Sequence, residues 1–184
     1  VVQRRIHPIV SFYKGWQEYK NGFGNSDADF WAGNDYIAEL TGSGDHEMMF
    51  RLESNELSSP ITTRYNSVVV GPESESFKLS FTNPSGQTDT NLDPSNGKLF
   101  GTFDQTAAGD KIGCGSYWQS GWWHAADCAE TGDLNVPMAN TDKRLPHLKG
   151  VYWTVGGTSY KISKTQIMVR PTNFARKRLI VRTS

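Results

Sequence analysis

Cys114-Gly-Ser-Tyr-Trp118-Gln-Ser-Gly-Trp122-Trp123-His124-Ala-Ala-Asp127-Cys128 holds the only two cysteines of the chain and three of its six tryptophans. A bond between these cysteines would close a loop of about 15 residues and contribute roughly 3 kcal/mol by restricting the unfolded chain. Such a bond points to an oxidising compartment. Two buried free thiols in a reducing compartment fit the same residues, because unpaired cysteine is among the most buried side chains. A metal centre is disfavoured: His7, His46, His124 and His147 have no paired spacing with cysteine, and neither CxxC nor HExxH occurs. Gly121 lets the backbone approach closely beside Trp122 and Trp123, which assigns that pair to the core rather than to a ligand platform.

The composition around this segment narrows the function. With 184 residues the chain fits one domain and can bury about 70% of its unfolded surface. Nineteen basic residues balance nineteen acidic ones, so no global field attracts nucleic acid. No apolar run approaches the roughly 18 residues of a membrane span, and no basic-then-apolar leader opens the chain. Eighteen glycines and eight prolines argue against a helical bundle and leave much of the mass in loops. No glycosylation acceptor occurs, since Asn83 is followed by Pro84. No Gly-x-Ser-x-Gly elbow or other nucleophile signature appears, so no catalytic residue is assigned.

Val1-Val-Gln-Arg-Arg5 reads as a strand that starts abruptly, which suggests missing upstream sequence. From Ser11 to Asn21, Phe12, Tyr13, Trp16 and Tyr19 recur at helical spacing and form a core-facing stripe before Gly22. Asn34-Asp35 would cap a second helix with Tyr36, Ile37 and Leu40 inward, closed by Gly42-Ser-Gly44. Met48–Glu53, Tyr65–Val70 and Phe77–Phe81 read as short strands of an antiparallel sheet. Residues 82–113 form a long loop of the kind that often carries function. Val151–Val155 and Tyr160–Val169 read as a hairpin about Gly156-Gly157, and Arg176, Lys177, Arg178 and Arg182 make residues 172–184 a basic tail.

Taken together, Gln3-Arg-Arg5, Trp16-x-x-Tyr19-x-x-Gly22-Phe-Gly24 and Phe30-Trp31-x-Gly33-Asn34-Asp35-x-Ile37-x-x-Leu40-Thr41 resemble the fibrinogen-like C-terminal domain. The resemblance continues through Val70-Gly-Pro-Glu-Ser-Glu75, Phe100-x-Thr-Phe-Asp104, Gly121-Trp-Trp123, Leu134-Asn135, Gly150-Val-Tyr-Trp153 and Met168-x-x-Arg-Pro171. It implies an α+β fold over residues 1–171, with a small antiparallel sheet, short helices, long loops and the N-terminal part of the fold missing together with its disulfide. It also implies a secreted, extracellular, non-catalytic recognition domain with Cys114 and Cys128 bonded.

Ficolin-like members of that family bind carbohydrate or acetylated groups on microbial surfaces in innate immunity. Angiopoietin and tenascin members instead bind a cell-surface receptor or matrix protein. The family pocket maps onto Trp118, His124, Asp127, Cys128, Ala129, His147 and Leu148, with a cis peptide implied at Asp127-Cys128. Ala129 stands where a pocket histidine is usual, His147 where a tyrosine is, and Leu148 where an alanine is, so an N-acetyl pocket should be weakened. The resemblance places a calcium ion before Cys114. The usual acids are replaced there by Thr106 and Ala108, which leaves Asp104 and Asp110 as the remaining candidate metal ligands and makes calcium doubtful. Oligomerisation would come from regions outside this chain, raising avidity at weak sites.

Overall fold

The computed structural model describes residues 1–7, 9–129, 132–139 and 143–173. Its elements run β1 (Gln3–Arg5), α1 (Trp16–Asn21), β2 (Phe23–Gly24), β3 (Phe30–Trp31), α2 (Asn34–Gly42), β4 (His46–Glu53), β5 (Ile61–Val70), β6 (Leu79–Thr82), α3 (Cys114–Trp118), β7 (Tyr152–Val155), β8 (Thr158–Lys161) and β9 (Lys164–Pro171). Burial alternates strictly along β4, with His46, Met48, Phe50 and Leu52 inside. This is the period-two pattern of a sheet with one covered face. The main sheet has seven strands in the order β2-β3-β1-β9-β4-β5-β6, every adjacent pair antiparallel. The C-terminal strand β9 sits between the first strand and β4, so Ile167 faces both Gln3 and Phe50. β7 and β8 form a separate two-stranded hairpin. The α+β class expected from the sequence is the one observed.

Four local expectations change. The helix expected over residues 11–21 begins only at Trp16. Ahead of it the chain is extended and buries Phe12, whose carbonyl accepts the Tyr19 hydroxyl and whose ring lies under Arg5. The helix start is fixed from a distance, because Asp104 accepts the Trp16 N–H while Glu18 accepts that of Gly15. Tyr13 leaves the apolar stripe, 41% exposed and packed on Phe103. In α2 the capping position is Gly33 rather than Asn34. The Asn34 side chain instead accepts the Trp31 indole N–H, and Tyr36 points outward while Ile37 and Thr41 are buried.

Phe77, Leu79 and Phe81 are all buried as expected, but Phe77 lies outside β6 with a left-handed φ of 49°. The run Tyr160–Val169 splits at Ile162-Ser163 because Ser163 donates to the Glu53 carbonyl and Ile162 to that of Val151. Its first half therefore closes the hairpin and its second half enters the main sheet. Of the loop expected over residues 82–113, Thr82 ends β6, and the rest is irregular apart from a 3₁₀ turn at Asp93–Ser95 and an antiparallel bridge from Gly101 to Trp122. The basic residues Arg176, Lys177, Arg178 and Arg182 lie outside the described residues.

Two glycines give a direct test of this packing. A Cβ on Gly115 would lie 2.4 Å from the backbone carbon of Thr102, whereas one on Gly42, the last residue of α2, meets nothing within 4 Å. Gly115→Ala is expected to lower stability by about 2–3 kcal/mol, or about 5–10 °C in Tm. Gly42→Ala should leave Tm unchanged or raise it by a few degrees. Thermal melts of both variants check this.

Candidate functional site

Cys114 and Cys128 form a disulfide, with their Cα atoms 5.2 Å apart, which removes the free-thiol alternative. The short helix α3 leads in from a turn organised by Asp110, whose carboxylate accepts the N–H groups of Ile112, Gly113 and Cys114. The helix ends on Gln119 in a left-handed conformation, and this turns Ser120 back to donate to the Gly115 carbonyl. Trp118 thus crosses the loop, and its indole N–H donates to the Cys128 carbonyl at 3.0 Å. The disulfide and this hydrogen bond fix both ends of the segment.

The Asp127-Cys128 bond expected to be cis is trans, as are all peptide bonds of the described residues. The chain reverses instead through a left-handed Cys128 at φ 54°. Cys128 N–H donates to the Ala125 carbonyl, and Ala129 N–H to the Asp127 carboxylate, completing the turn. Asp127 and Ala129 are exposed on that turn.

A cleft of about 60 Å³ opens beside the loop, lined by Trp118, Gly132, Asp133, Val136, His147, Lys149, Gly150 and Tyr152. A cavity of this size admits one small group or side-chain tip. The His147 ring stacks on Tyr117 with centroids 4.1 Å apart, and its Nε2 donates to the Tyr117 carbonyl at 2.7 Å. That bond places the ring hydrogen on Nε2 and holds the imidazole as a fixed wall. Leu148 is buried behind the cleft.

The structure brings Trp118 and His147 together at the cleft and sets Cys128 and Leu148 behind it. His124 is not a cleft wall: at 5% exposure it belongs to the core. Asp133 and Tyr152 escape the sequence reading. The only signal for Asp133 was a carboxylate immediately before the buried Leu134-Asn135 pair.

Asp133 is the electrostatic centre of the site. Burial pushes its carboxyl up to about 7, against the opposing pull of the Ser120 hydroxyl, the Asn135 and Val136 N–H groups and the Arg5 guanidinium. Ser120 donates to it at 2.6 Å and Asn135 N–H at 2.7 Å. Arg5 is buried as well and donates to the Leu134 and Val136 carbonyls, which ties β1 to the floor of the cleft. His124 Nδ1 lies 3.8 Å from Asp133 Oδ2, beyond hydrogen-bond reach, and burial depresses its imidazole to about 4.

The two remaining calcium candidates are each engaged by donors of the protein itself. Asp104 accepts from Trp16 N–H and the Thr102 hydroxyl, and Asp110 from three backbone N–H groups. Asp110 also lies close to the Cys114 and Cys128 sulfurs, but those sulfurs are bonded to each other and are not thiolate ligands. The donor set therefore does not fit a calcium site.

The sequence matches the family described as fibrinogen beta and gamma chains, C-terminal globular domain, over residues 1–172. It is 33% identical over 172 residues to angiopoietin-related protein 2 from Mus musculus and Homo sapiens, covering 93% of this chain and 34% of theirs. It is 32% identical over 173 residues to ryncolin-4 from Cerberus rynchops, covering 93% of this chain and 49% of that protein. The chain thus spans about a third to a half of the relatives it matches. Among solved structures, the fibrinogen-like globe domain of human ANGPTL2 superposes with a TM-score of 0.78 at 32% identity, covering 93% of this chain and 79% of that one. A lamprey fibrin D-dimer complexed with the peptide ligand Gly-His-Arg-Pro-amide shares the fold with a TM-score of 0.78 at 24% identity, covering 93% of this chain and 60% of that one.

Asp133 and His124 contribute opposite pH dependences. Folding raises the Asp133 pKa from 3.8 to about 7, so the folded state holds a proton the unfolded state has lost, and this contribution to stability falls as pH rises through that window. Folding lowers the His124 pKa from 6.5 to about 4, so its contribution rises with pH between those values. Relative to the parent, Asp133→Asn should gain stability from pH 4 to 7, with a slope of up to about 1.4 kcal/mol per pH unit. His124→Phe should lose it from pH 4 to 6.5. Urea denaturation across this range measures both slopes.

Proposed function

The chain belongs to the fibrinogen C-terminal domain family, and on that premise we propose that it is a non-catalytic recognition domain whose primary ligand surface is the cleft between the Cys114–Cys128 loop and residues 147–152. The observation that carries this reading is the construction of the cleft. The disulfide, the Trp118-to-Cys128 hydrogen bond and the His147–Tyr117 stack hold its walls before any ligand arrives. Preorganisation of this kind lowers the cost of binding. The small volume and the Asp133 floor suit a single projecting side chain of a protein partner, and angiopoietin-related proteins are among its relatives. A cell-surface receptor or matrix protein is therefore the favoured partner.

A second reading rests on the aromatic walls. Trp118, the Tyr117–His147 pair and Tyr152 present ring surface of the kind that stacks on sugars, and ryncolin-4 is among the relatives. In that reading the domain is a lectin for carbohydrate or acetylated groups in innate immunity. The His147 Nε2–H is taken by the Tyr117 carbonyl, which leaves the cleft poorer in donors for an acetyl oxygen. In both readings the protein acts outside the cell, consistent with its disulfide. None of its described helices is long and apolar enough to cross a membrane. Weak single sites would gain avidity through oligomerisation by regions outside this chain.

The two readings separate on cells carrying the fluorescently labelled, artificially tetramerised domain. Protein recognition requires binding that trypsin treatment of the cells abolishes and glycosidase treatment spares; the lectin reading requires the reverse, with signal for N-acetylated sugars on a glycan array. Trp118→Phe, which keeps the ring but removes the N–H to Cys128, should weaken binding several-fold in either case. Binding undiminished by both Trp118→Phe and Trp118→Ala would exclude the cleft.

The proposed recognition is independent of calcium. A saturating tight ion would stabilise the folded state by RT ln(1 + [L]/Kd) and shift the melting midpoint by degrees. The expected Tm is the same in millimolar calcium and in chelator, and a shift of several degrees would restore the metal.

A further inference from the structure

We infer that the open edge of β5 over Ile61–Tyr65 is a second recognition site, separate from the Trp118–His147 cleft, which captures an extended peptide by strand addition. β5 pairs with β4 from Ile61↔Leu52 to Tyr65↔Met48. On its other side β6 pairs only at Asn66 to Val70, and the register breaks between Asn66 and Val69 around a left-handed Ser67 at φ 48°. Among the described residues, no strand lies against the outer edge of Ile61–Tyr65. Such an edge offers a row of backbone donors and acceptors to an incoming chain.

A groove of about 520 Å³ runs beside it, within the range of about 300–1,000 Å³ typical of ligand clefts. Ile61, Thr62, Thr63 and Arg64 all border this groove. Side chains of a strand alternate between its faces, so four consecutive residues share one groove only where the groove opens along the strand's edge. The opposite walls are the loop 84–89 and the β7–β8 turn at Thr154–Gly156. They are locked together: Asn91 donates to the Thr154 carbonyl and accepts from Thr154 N–H, while Asp89 accepts the Trp153 indole N–H and the Asn91 amide.

These walls select the occupant. An edge at the bottom of a walled groove is closed to the sheet of a second folded copy but admits a single extended chain. Five edge residues give a register of about 16 Å. The groove's charge adds to the choice. The Asp89 carboxylate is committed to Trp153 and Asn91, whereas Arg64 is exposed and makes no ion pair among the described residues. The partner is an extended peptide with an acidic side chain opposite Arg64. Main-chain pairing supplies affinity and the charge supplies register.

The test uses the 184-residue chain, ¹⁵N-labelled, and the probe peptide acetyl-Thr-Val-Glu-Val-Thr-Val-amide. A control peptide of the same sequence is N-methylated at every residue and cannot donate to a ladder. The expected result is shift changes and slowed amide exchange confined to Ile61–Tyr65 and residues 84–89, absent with the control. Binding should weaken by about fivefold in Arg64→Glu and by less in Arg64→Ala, with Trp118 and Tyr152 resonances unmoved throughout. The site is overturned if millimolar peptide leaves Ile61–Tyr65 unperturbed, or if the N-methylated control binds equally. It is also overturned if the shifts map to the Trp118–His147 cleft, or if N,N′-diacetylchitobiose moves the edge amides and the peptide does not.

Discussion

The indole N–H is the constraint on which this structure turns. The chain buries large aromatic rings under a sheet of modest size, and five of its six tryptophans are core side chains. A buried indole gains from its area, yet leaving its N–H unpaired costs about 1–3 kcal/mol. All six find partners, and none of those partners is in a strand. Trp16 donates to Glu73, Trp31 to Asn34, Trp118 to the Cys128 carbonyl, Trp122 to Ser95, Trp123 to the Phe77 carbonyl and Trp153 to Asp89. The left-handed Phe77 follows from this: its carbonyl must meet Trp123 while its ring stays in the core. Loops that form no regular structure are thereby tied to the core.

The same logic carries into the cleft. Cys114–Cys128 and Trp118 fix one wall, and the floor is held by a buried polar network running from Ser120 through Asp133 to the Asn135 backbone, with Arg5 alongside. Asp133 remains strongly destabilised as an anion despite three donors, because burial outweighs them. Its neighbour His124 avoids a charge for the same reason. Near neutral pH a partly ionised Asp133 beside the protonated Arg5 leaves the floor with little net charge. Shape and the aromatic walls have more to discriminate with than charge.

Much of this was legible in the sequence. Periodicity and motif resemblance located the core aromatics, the α+β class, the cysteine loop and most strands, because those features depend on local pattern. What could not be read depends on contacts far apart in the chain. The start of α1 is set by Asp104, 88 residues away, so the apolar spacing of Ser11–Asn21 overstated the helix. His124 looked like a loop ligand because its burial arises only when Asp133 packs beside it. Asp133 itself carried no distinguishing pattern. Ile162-Ser163 broke an apparently continuous strand because their hydrogen bonds belong to Glu53 and Val151. In each case a tertiary partner overrode a local preference.

The alternation of β7 joins the two proposed surfaces through one rigid piece. Tyr152 is 41% exposed and lines the cleft, whereas Trp153, facing the other way, is buried and holds Asp89 in the wall of the β5 groove. Thr154 then bonds Asn91 and completes that wall. Three consecutive residues therefore place one side chain at the cleft, one in the core and a backbone pairing in the groove wall. Because side chains in a strand cannot change faces without a shift of register, displacing Tyr152 along the strand would also withdraw Trp153 from Phe50 and from Asp89. That penalty fixes the distance between cleft and groove, and a partner engaging both would meet a frame set by the core rather than by its loops.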